Sequence, residues 1–582
     1  MQKAKCYISA LVKRASVVPE WPPEVEVTED EVFCIYGYGP YQKELFHFGF
    51  LAAVALACNH LLSVVIAPDV VHRCISPQSA TNLSLDDWLH ASGENSSSVD
   101  ECNIYIGPDN ATGNFSIVAC NHWEYPSHRP KTVVDQWDLV CSQGWLVSLS
   151  ASVYMLGSLL GLIIFGNISD RIGRRPVIIL ATILVVIAGI GVLAASSFKA
   201  FLIFRMLVGA GAIIVYETVL VLTVETVDPS YRCYTCLGYH IGWGFGCVYL
   251  GIVGWLLHGW LYIQGFVMVP SVALLRGLAS LPESPRWLMA TGRFDEAELA
   301  VSYAIKKNLP QEMAAQKMWQ KLRRDLESVR LFLCLSTPII LSRTLVCLKA
   351  YDKSAPYKTA SAFDLLRTPK LRSRTLILFY TWFAISFTYY AISLNVGRLA
   401  GNVYVSFLLS ASVEVPAYLS TLVVLSMYKR KTTQSATLLC SAFACAGAAL
   451  LREDKSWMAI SFTLLGKFMI AAAFSVVSVY SLEIFPTVLR NVGMCYSAIF
   501  AKAAAAIAPF VKELGEATQD RVPYVLYVVL CGLSGLLVLL LPETKLAVLP
   551  DTVKEAEVSE AQLKRYYGTA QSYQQLEATL LN

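Results

Sequence analysis

The chain has 582 residues, of which 55% are hydrophobic and only 15% are charged, and its net charge is +4 at pH 7. A soluble protein of this length usually has about a quarter of its residues charged. The deficit is concentrated in apolar runs of roughly 18 to 25 residues, the length of a membrane-spanning helix. The composition therefore argues against a soluble or nucleic-acid-binding protein and predicts a polytopic protein embedded in a lipid bilayer.

Twelve apolar runs are predicted to span the membrane as helices, which gives an all-α fold. The runs lie at residues 46–68, 144–166, 176–195, 200–224, 235–257, 260–281, 375–396, 402–426, 433–451, 457–482, 494–511 and 523–541. We expect, in order, a cytoplasmic N-terminus (1–45), a six-helix bundle (46–281), a central cytoplasmic loop (282–374), a second six-helix bundle (375–541) and a cytoplasmic tail (542–582). No cleaved signal peptide is expected, because residues 1–24 contain no sustained apolar run.

The long connection after the first span, residues 69–143, is predicted to be extracellular. It contains four N-glycosylation sequons, at Asn82, Asn95, Asn110 and Asn114. It also contains four cysteines, Cys74, Cys102, Cys120 and Cys141, and the sequence leaves all three pairings open. Sequons and an even number of cysteines in one polar segment indicate an oxidising, glycosylating compartment.

Basic residues mark the opposite side of the membrane. The short loops 167–175, 225–234, 427–432 and 483–493 carry lysines and arginines and fall on the side away from the extracellular loop. The positive-inside rule places these loops and both termini in the cytoplasm. The further sequon at Asn167 should therefore carry no glycan.

The apolar segment 331–351, inside the central loop, is the one candidate for a thirteenth span. Pro338, Arg343 and an apolar stretch of only about twelve residues argue against a crossing. A thirteenth crossing would also move the basic residues 429–431 to the outside, against the positive-inside rule. We interpret the segment as an interfacial or buried helix, or as an insertion.

The two predicted bundles repeat the same charged motifs. Residues 225–232 and 483–490 each begin with glutamate and end with arginine, and LPES at 281–284 recurs as LPET at 541–544. The two motifs recur at nearly the same offset, which indicates a duplicated six-helix bundle. Parallel repeats of this kind predict alternating access, in which two pseudo-symmetric halves rock around a central site.

The stretch GNISDRIGRRP (166–176) lies between two apolar runs and is predicted to form an inner gate. Gly166 and Gly173 permit close helix ends and a tight turn. Asp170 and Arg174 are expected to pair with charges on neighbouring helix ends, whereas Arg171 and Arg175 are as readily explained by topology alone. The predicted gate-motif residues are Gly166, Asp170, Arg171, Gly173, Arg174, Arg175, Glu225, Arg232, Glu283, Arg286, Glu483 and Arg490.

These motifs resemble those of a known family. GNISDRIGRR (166–175) resembles the signature loop of the major facilitator superfamily, and PESPRWL (282–288) is similar to its sugar and organic-ion branches. WDLVC (137–141), VEVPAY (413–418) and PTVLRN (486–491) resemble the organic-ion transporters, which comprise organic cation, carnitine and organic anion carriers. The resemblance implies a plasma-membrane transporter of small organic ions with no cofactor. It leaves open a coupling ion or an exchanged counter-substrate as a second partner.

Ionisable residues inside spans are candidates for substrate contacts. By resemblance, Lys502 in the eleventh span occupies a position that is acidic in cation carriers and basic in anion or carnitine carriers, so it favours an anionic or zwitterionic substrate. Glu217 and Glu414 suit a cation instead. Glu217 and Lys502 together fit a zwitterion, or they neutralise each other. Lys467 is as readily explained by a buried pair with Glu414 as by a substrate contact. The predicted substrate-binding residues are Lys502, Glu414, Glu217, Lys467, Tyr216, Tyr239, Tyr389 and Asn59. Arg205 and Arg276 lie nearer span ends and are expected to snorkel or to make structural pairs.

Aromatic residues at mid-span positions are expected to line a cavity of broad specificity. They are Tyr216, Tyr239, Trp243, Tyr389, Tyr390 and Tyr496, of which about half should reach the cavity while the rest face lipid or core.

Two alternatives to an anion or zwitterion transporter stay open. One is an organic cation transporter that uses Glu217 and Glu414, and the other is a receptor-like member that binds ligand without moving it. An enzyme or an ATP-driven pump is not expected, because no nucleotide-binding loop, HExxH or GxSxG motif is present. Cys233 and Cys236 form a lone Cys-x-x-Cys pair that no second pair completes as a zinc site, so no metal is expected.

Overall fold

The computed structural model describes residues 38–74, 102–106, 116–120, 122–125, 131–227, 229–257, 259–308, 362–395, 402–451, 457–486, 489–519 and 521–545. The predicted glycosylation sites and the segment 331–351 lie outside these residues. So do most of the N-terminus and the C-terminal tail.

Twelve apolar helices, named α1 to α12, form the body of the described protein. The first six are α1 (Pro40–Ile66), α2 (Trp145–Ile172), α3 (Arg174–Leu193), α4 (Phe198–Thr226), α5 (Pro229–Leu256) and α6 (Trp260–Gly277). The second six are α7 (Pro369–Leu394), α8 (Val403–Ser412 and Glu414–Met427), α9 (Arg430–Leu451), α10 (Trp457–Ile484), α11 (Arg490–Ile507) and α12 (Val522–Val538). Short helices at Val133–Gln136, Pro285–Ala290, Phe294–Asn308, Ala362–Arg367 and Val511–Ala517, with single 3-10 turns at Cys141–Gln143, Leu278–Ser280 and Ala508–Phe510, complete the helical elements.

The helices match the predicted spans one for one. Eleven of the described helices are long and apolar enough to cross a membrane, and α12, with 17 residues, is a shorter apolar helix. The fold is therefore the all-α polytopic architecture predicted from sequence.

Local sequence explains where several helices begin and break. Pro40 and Pro369 stand at the first positions of α1 and α7, where the missing N–H costs nothing. Asn402 caps α8 by accepting hydrogen bonds from the backbone N–H groups of Tyr404 (3.0 Å) and Val405 (3.3 Å). Pro416 cannot donate to the carbonyl four residues earlier, and α8 is broken after Ser412, so its second segment begins at Glu414.

The two sets of six helices pack in the same pattern. In the first set, α1 packs on α4, α5 and α6, while α2 and α3 pack on α4. The equivalent helices of the second set repeat these contacts, because α7 packs on α10, α11 and α12, while α8 and α9 pack on α10. The packing therefore repeats the duplication found in the sequence, and we call the two sets the first half and the second half.

Glycine lets the helices of the first half approach closely. A Cβ atom on Gly157 of α2 would lie 2.1 Å from the carbonyl oxygen of Met206 on α4. A Cβ atom on Gly209 of α4 would lie 2.2 Å from the carbonyl oxygen of Tyr154 on α2. Small residues at a helix crossing are the usual means of tight packing in membranes.

Several helix pairs join the halves, and the most extensive contacts are those of α2 with α11 and of α5 with α8. Near the start of α2, Ser152 donates a hydrogen bond of 2.6 Å to the carbonyl of Ala506 on α11. Toward the other end of the molecule, Leu237 of α5 packs with Leu425 of α8 and with Val476 and Val479 of α10. The central residues therefore lie between two layers of contacts that join the halves.

The connection between α1 and α2 contains four short strands that the sequence had not predicted. Strand β1 (Arg73–Cys74) pairs antiparallel with β4 (Trp123–Glu124), and β2 (Asn103–Ile106) pairs antiparallel with β3 (Ser116–Ala119). Of the pairings left open, the structure forms a disulfide between Cys102 and Cys141, and Cys120 is also disulfide-bonded. Cross-links let such short pairs of strands persist without a core of their own. We call this end of the molecule the disulfide face, and the opposite end, with the 167–175 loop, the basic face.

Candidate functional site

The predicted gate motif forms one connected cluster at the basic face. Arg174, at the start of α3, is almost fully buried, and its Nη2 atom lies 3.0 Å from Asp170 Oδ1 and 3.1 Å from Glu225 Oε1. Its Nη1 atom donates to the carbonyl of Ser169 at 3.1 Å. One guanidinium therefore ties the end of α2 to the end of α4.

Glu283 holds the same junction through the backbone. Its carboxylate accepts hydrogen bonds from the backbone N–H groups of Arg174 (2.9 Å) and Arg175 (3.1 Å), the first residues of α3. A carboxylate is favoured there because the first N–H groups of a helix lack intrahelical partners and carry partial positive charge. Gly173 turns the chain with φ of 105°, and a Cβ atom there would lie 2.5 Å from Glu283 Oε2. Only glycine suits this position.

The second half contains a copy of this cluster, including residues that the sequence analysis had not chosen. Glu543 accepts from the backbone N–H groups of Arg430 (2.8 Å) and Lys431 (3.3 Å) at the start of α9. Arg430 also lies 3.4 Å from Glu483 and donates to the carbonyl of Leu425 at 2.5 Å. Arg430 and Glu543 thus occupy the places of Arg174 and Glu283. The recurrence of Leu-Pro before each glutamate was the sequence signal for Glu543.

The remaining gate-motif residues lie at the same face with different exposure. Arg171 and Arg175 are exposed, whereas Arg232, Arg286 and Arg490 are half-buried. Gly166 lies within α2, near the loop. The exposure of Arg171 and Arg175 is consistent with a role in membrane topology alone.

A buried ion pair occupies the centre of the second half. Lys467 Nζ on α10 lies 2.9 Å from Glu414 Oε1 on α8, and each side chain is only 1% exposed. Glu414 also accepts from the hydroxyls of Tyr389 (2.8 Å) and Tyr418 (3.3 Å). Lys467 donates to Ser393 and sits 3.3 Å from the centroid of the Tyr389 ring.

This pair is attached to the first half through α5. Trp243 donates its indole N–H to the hydroxyl of Tyr389 at 2.6 Å, and the thiol of Cys247 lies 3.5 Å from Glu414 Oε2. Charges this deeply buried persist only when they are paired and hydrogen-bonded, and both conditions are met here. The pair is saturated by protein groups.

Lys502 lies in a different arrangement. Its Nζ atom on α11 lies 2.9 Å from His60 Nε2 on α1 and 5.7 Å from the centroid of the Tyr390 ring. The side chain is 8% exposed. Within the described residues, no carboxylate lies within the 4.0 Å that defines an ion pair with Lys502. The ammonium therefore keeps donors that the protein does not use.

Glu217 on α4 is an acid whose charge acts on Lys502. It is half-buried, and no hydrogen bond or ion pair to another described residue holds its carboxylate. A carboxylate inside a membrane helix without a protein partner is costly unless it meets water, a proton or a ligand. Glu217 and Lys502 are thus the two predicted site residues with unused hydrogen-bonding capacity.

The other predicted site residues fall into two groups. Tyr216 is half-buried beside Glu217, with its ring centroid 6.1 Å from that of Tyr239. Tyr239 and Asn59 are fully buried inside the first half, where Tyr239 contacts the Thr223 hydroxyl at 2.7 Å and Asn59 donates to the Ala55 carbonyl at 2.8 Å. The structure does not bring Tyr239 or Asn59 to the Lys502 ammonium.

Arg205 takes the second of its two expected roles. Rather than snorkelling, it is 1% exposed and donates to Ser63 Oγ on α1 at 3.0 Å, with its guanidinium 4.6 Å from the centroid of the Tyr154 ring.

His60 is the residue near the centre that sequence reasoning missed. The signal was available, because a histidine within an apolar span is itself an ionisable intramembrane group.

Comparisons with known proteins agree with this architecture. The family model for sugar (and other) transporters matches residues 127–552. An organic cation transporter protein of Drosophila melanogaster is 30% identical over 543 residues, which cover 91% of this chain and 94% of that protein. Organic anion transporter 3 of Homo sapiens is 29% identical over 525 residues, covering 88% of this chain and 91% of that protein.

Solved structures support the fold. A partially occluded, inward-open conformation of the xylose transporter XylE from E. coli has a TM-score of 0.57 at 16% identity, and covers 88% of this chain and 100% of that chain. At this identity the likeness shows the shared fold alone.

The sequence relatives include a cation and an anion transporter, so what they share is organic-ion transport. The chain is a multi-pass membrane transporter rather than an enzyme, and it belongs to the sugar (and other) transporter family of the major facilitator superfamily, among the organic-ion transporters.

Proposed function

We propose that this protein carries small organic anions or zwitterions across the plasma membrane by alternating access, with Lys502 binding the anionic group. One observation carries the proposal. Of the two lysines buried near the centre, Lys467 is saturated by Glu414, Ser393 and the Tyr389 ring, whereas Lys502 contacts one neutral imidazole acceptor. A lysine with unused donors inside a membrane protein attracts a carboxylate or sulfonate and repels a cation.

The free carboxylate of Glu217 supports a zwitterion as the preferred substrate. It forms no ion pair with Lys502, so both charges remain available to a ligand that has a cationic and an anionic end. The same residue supports the second candidate, an organic cation transporter. Glu414 does not support that candidate, since its oxygens are already occupied by Lys467 and two tyrosine hydroxyls.

Alternating access is supported by the repeated clusters at the basic face. Arg174 and Arg430 each hold a helix junction in one half, and rearrangement of ion pairs of this kind is a usual part of movements between packed bodies. The α2–α11 and α5–α8 contacts lie between the halves and provide surfaces over which they can rock. This arrangement favours a transporter over the receptor-like alternative.

We propose the predicted topology for the same protein, with the disulfide face outside and the basic face in the cytoplasm. The cross-linked cysteines and the basic loops support it from opposite sides. Asn82, Asn95, Asn110 and Asn114 should then carry glycans while Asn167 does not. A glycosidase shift that disappears on Asn167→Gln would reverse the orientation.

The test of substrate charge is uptake of three radiolabelled probes in one expressing cell line: benzenesulfonate, carnitine and tetraethylammonium. We expect uptake of the first two. Lys502→Ala should raise their half-saturation concentrations by about ten- to a hundredfold, the loss of a charge-assisted hydrogen bond. Lys502→Arg should retain part of the activity, because it keeps the charge and changes its geometry. Lys502→Asp should abolish uptake of benzenesulfonate.

Lys512→Ala is the matched control, because this lysine lies beyond α11 in Val511–Ala517 and pairs with Asp69 at the disulfide face. It should change half-saturation little. The proposal fails if Lys502→Ala reaches the surface and transports both probes normally, or if the parent protein takes up only tetraethylammonium. In the second case the cation transporter with Glu217 becomes the function.

A further inference from the structure

We infer that His60 is the positioning residue of the anion site: its imidazole fixes the Lys502 ammonium for the substrate by accepting one hydrogen bond from it. The inference rests on the proposed function, since it concerns the same lysine. Its observation is separate, namely the 2.9 Å contact between Lys502 Nζ on α11 and His60 Nε2 on α1. Both side chains are buried, His60 at 1% and Lys502 at 8% exposure.

The direction of this hydrogen bond follows from the chemistry of the two groups. An ammonium can only donate, so Nε2 of His60 must be the unprotonated nitrogen. The ring proton then lies on Nδ1, where the carbonyl of Leu56 accepts it at 3.1 Å. The hydroxyl of Tyr154 lies 2.8 Å from the same nitrogen. The backbone of α1 thus selects the tautomer that can receive the lysine.

His60 is rigid where Lys502 is flexible. Three rings surround the imidazole, with centroids at 5.0 Å for Tyr154, 5.3 Å for Trp243 and 6.0 Å for Tyr390. A lysine ammonium sits on a four-carbon stem and has three donors. One donor on His60 fixes the position of the charge, and two remain for a substrate carboxylate or sulfonate. The conformational entropy of the lysine side chain is then lost before the ligand binds, so binding no longer includes that cost.

The contact also joins the two halves, because α1 belongs to the first and α11 to the second. The Lys502 ammonium is therefore held in place when the halves bring α1 and α11 together. In any state that separates these helices, the lysine loses its acceptor. The anion site is complete only in states that keep this contact.

Protonation of His60 would destroy the site. The charged and titratable groups facing the imidazole are Lys502 from α11, Arg205 from α4, Tyr154 from α2 and Tyr390 from α7, while Trp243 from α5 contributes an uncharged ring. No carboxylate among the described residues contacts the ring. An imidazolium would place a second donor against the Lys502 ammonium. The neighbouring bases and the lack of a contacting carboxylate thus favour the neutral imidazole that the hydrogen bond from Lys502 requires.

The experiment compares His60→Leu, His60→Gln and the control His240→Leu by uptake of benzenesulfonate, normalised to surface abundance. His240 is the matched control, because it also bonds the carbonyl four residues back (Cys236, 2.9 Å) and crosses to the other half, but faces Ser478 rather than a lysine. His60→Leu should raise the half-saturation concentration about three- to tenfold with little change in maximal rate. His60→Gln, which keeps an acceptor, should restore most of it. His240→Leu should leave half-saturation unchanged.

A further readout separates positioning from general packing. In a Lys502→Ala background, His60→Leu should have no further effect on half-saturation, since the group it positions is gone.

The outcomes distinguish the two proposals. If the parent shows no Lys502-dependent uptake of benzenesulfonate, the proposed function fails and this inference with it. If Lys502 dependence stands but His60→Leu leaves half-saturation unchanged, or acts equally with and without Lys502, only this inference is overturned. If His60→Leu does not reach the surface, His60→Gln decides: because this variant keeps an acceptor, a half-saturation concentration tenfold or more above that of the parent overturns the inference.

Discussion

Two lysines and two glutamates lie near the centre of this transporter, in arrangements that contrast sharply. Lys467 and Glu414 touch at 2.9 Å, each is 1% exposed, and both are surrounded by hydroxyl groups that complete their hydrogen bonds. Lys502 and Glu217 interact only through their charges, and Glu217 is half-buried with no described partner. We call the first pair closed, because its hydrogen-bonding groups are all occupied by the protein, and the second open, because its groups are not.

The difference separates structure from function. A closed pair has no capacity for a ligand, and removal of one partner leaves the other as an uncompensated charge inside the bundle. An open pair has unused donors and acceptors that a substrate can fill, so its removal costs binding rather than folding. Substitutions in the two pairs should therefore alter different measurements.

The largest effect is expected for Glu414→Gln. This change leaves the Lys467 ammonium buried without its counter-charge, which costs about 3–5 kcal/mol in comparable pairs. Surface abundance should collapse, and the melting temperature of the purified protein should fall. Lys502→Ala should leave both quantities near those of the parent.

The control is the double variant Glu414→Gln with Lys467→Met, which removes both charges together. It should recover much of the lost abundance, because replacing a whole buried pair by neutral groups costs less than breaking it. Normal abundance of the single Glu414→Gln variant, accompanied by lost transport, would place Glu414 among the substrate contacts and erase the comparison.

Sequence distinguished the two lysines only in part. Both stand in apolar spans beside small residues, as Gly466-Lys467 and Ala501-Lys502. The sequence left open whether Lys467 pairs with Glu414 or contacts the substrate, and the structure contains the pair. Their difference depends on partners from other helices, Glu414 in one case and His60 in the other. Periodicity predicts that a helix exists but carries no information on which faces of distant helices meet.

The twelve helices and the repeat were predictable for the opposite reason. Span length is set by the thickness of the bilayer, and the signal is contained in each run by itself. The motifs at 281–284 and 541–544 pointed to Glu283 and Glu543, because each glutamate binds the start of a helix in its own half. The short strands beyond α1 carried no such signal, since disulfides rather than apolar patterning stabilise them.

A selective effect of intermediate size is expected for Glu217→Gln. The variant keeps the shape of the side chain and removes the charge that would meet the cationic end of a zwitterion. Half-saturation for carnitine should rise about tenfold, the cost of a charge-assisted contact, while that for benzenesulfonate stays constant or falls. Both are measured by uptake at matched surface abundance.

The comparison of carnitine with benzenesulfonate separates a substrate contact from a structural role of Glu217. Equal losses for carnitine and benzenesulfonate would mean that Glu217 supports Lys502 rather than the substrate, and the open pair would then be a loosely packed structural one. A parent that takes up tetraethylammonium, and loses that uptake on Glu217→Gln, would favour the cation transporter.

The smallest effect is expected at the basic face, where Arg174 pairs with one exposed acid and one largely buried acid. Glu225 is 15% exposed and Asp170 is 72% exposed, and both lie within 3.1 Å of the guanidinium. An exposed pair contributes at most about 1 kcal/mol, so Asp170→Asn should lower the maximal transport rate by about two- to fivefold without changing the melting temperature. Glu225→Gln should instead lower the melting temperature, because the acid it removes is the buried partner of Arg174. Uptake per surface molecule and thermal unfolding of each variant would decide the matter. Unchanged transport in Asp170→Asn would mean that the charges of this loop set only the membrane topology. The central pairs would then differ in function, whereas the two acids at the gate would not.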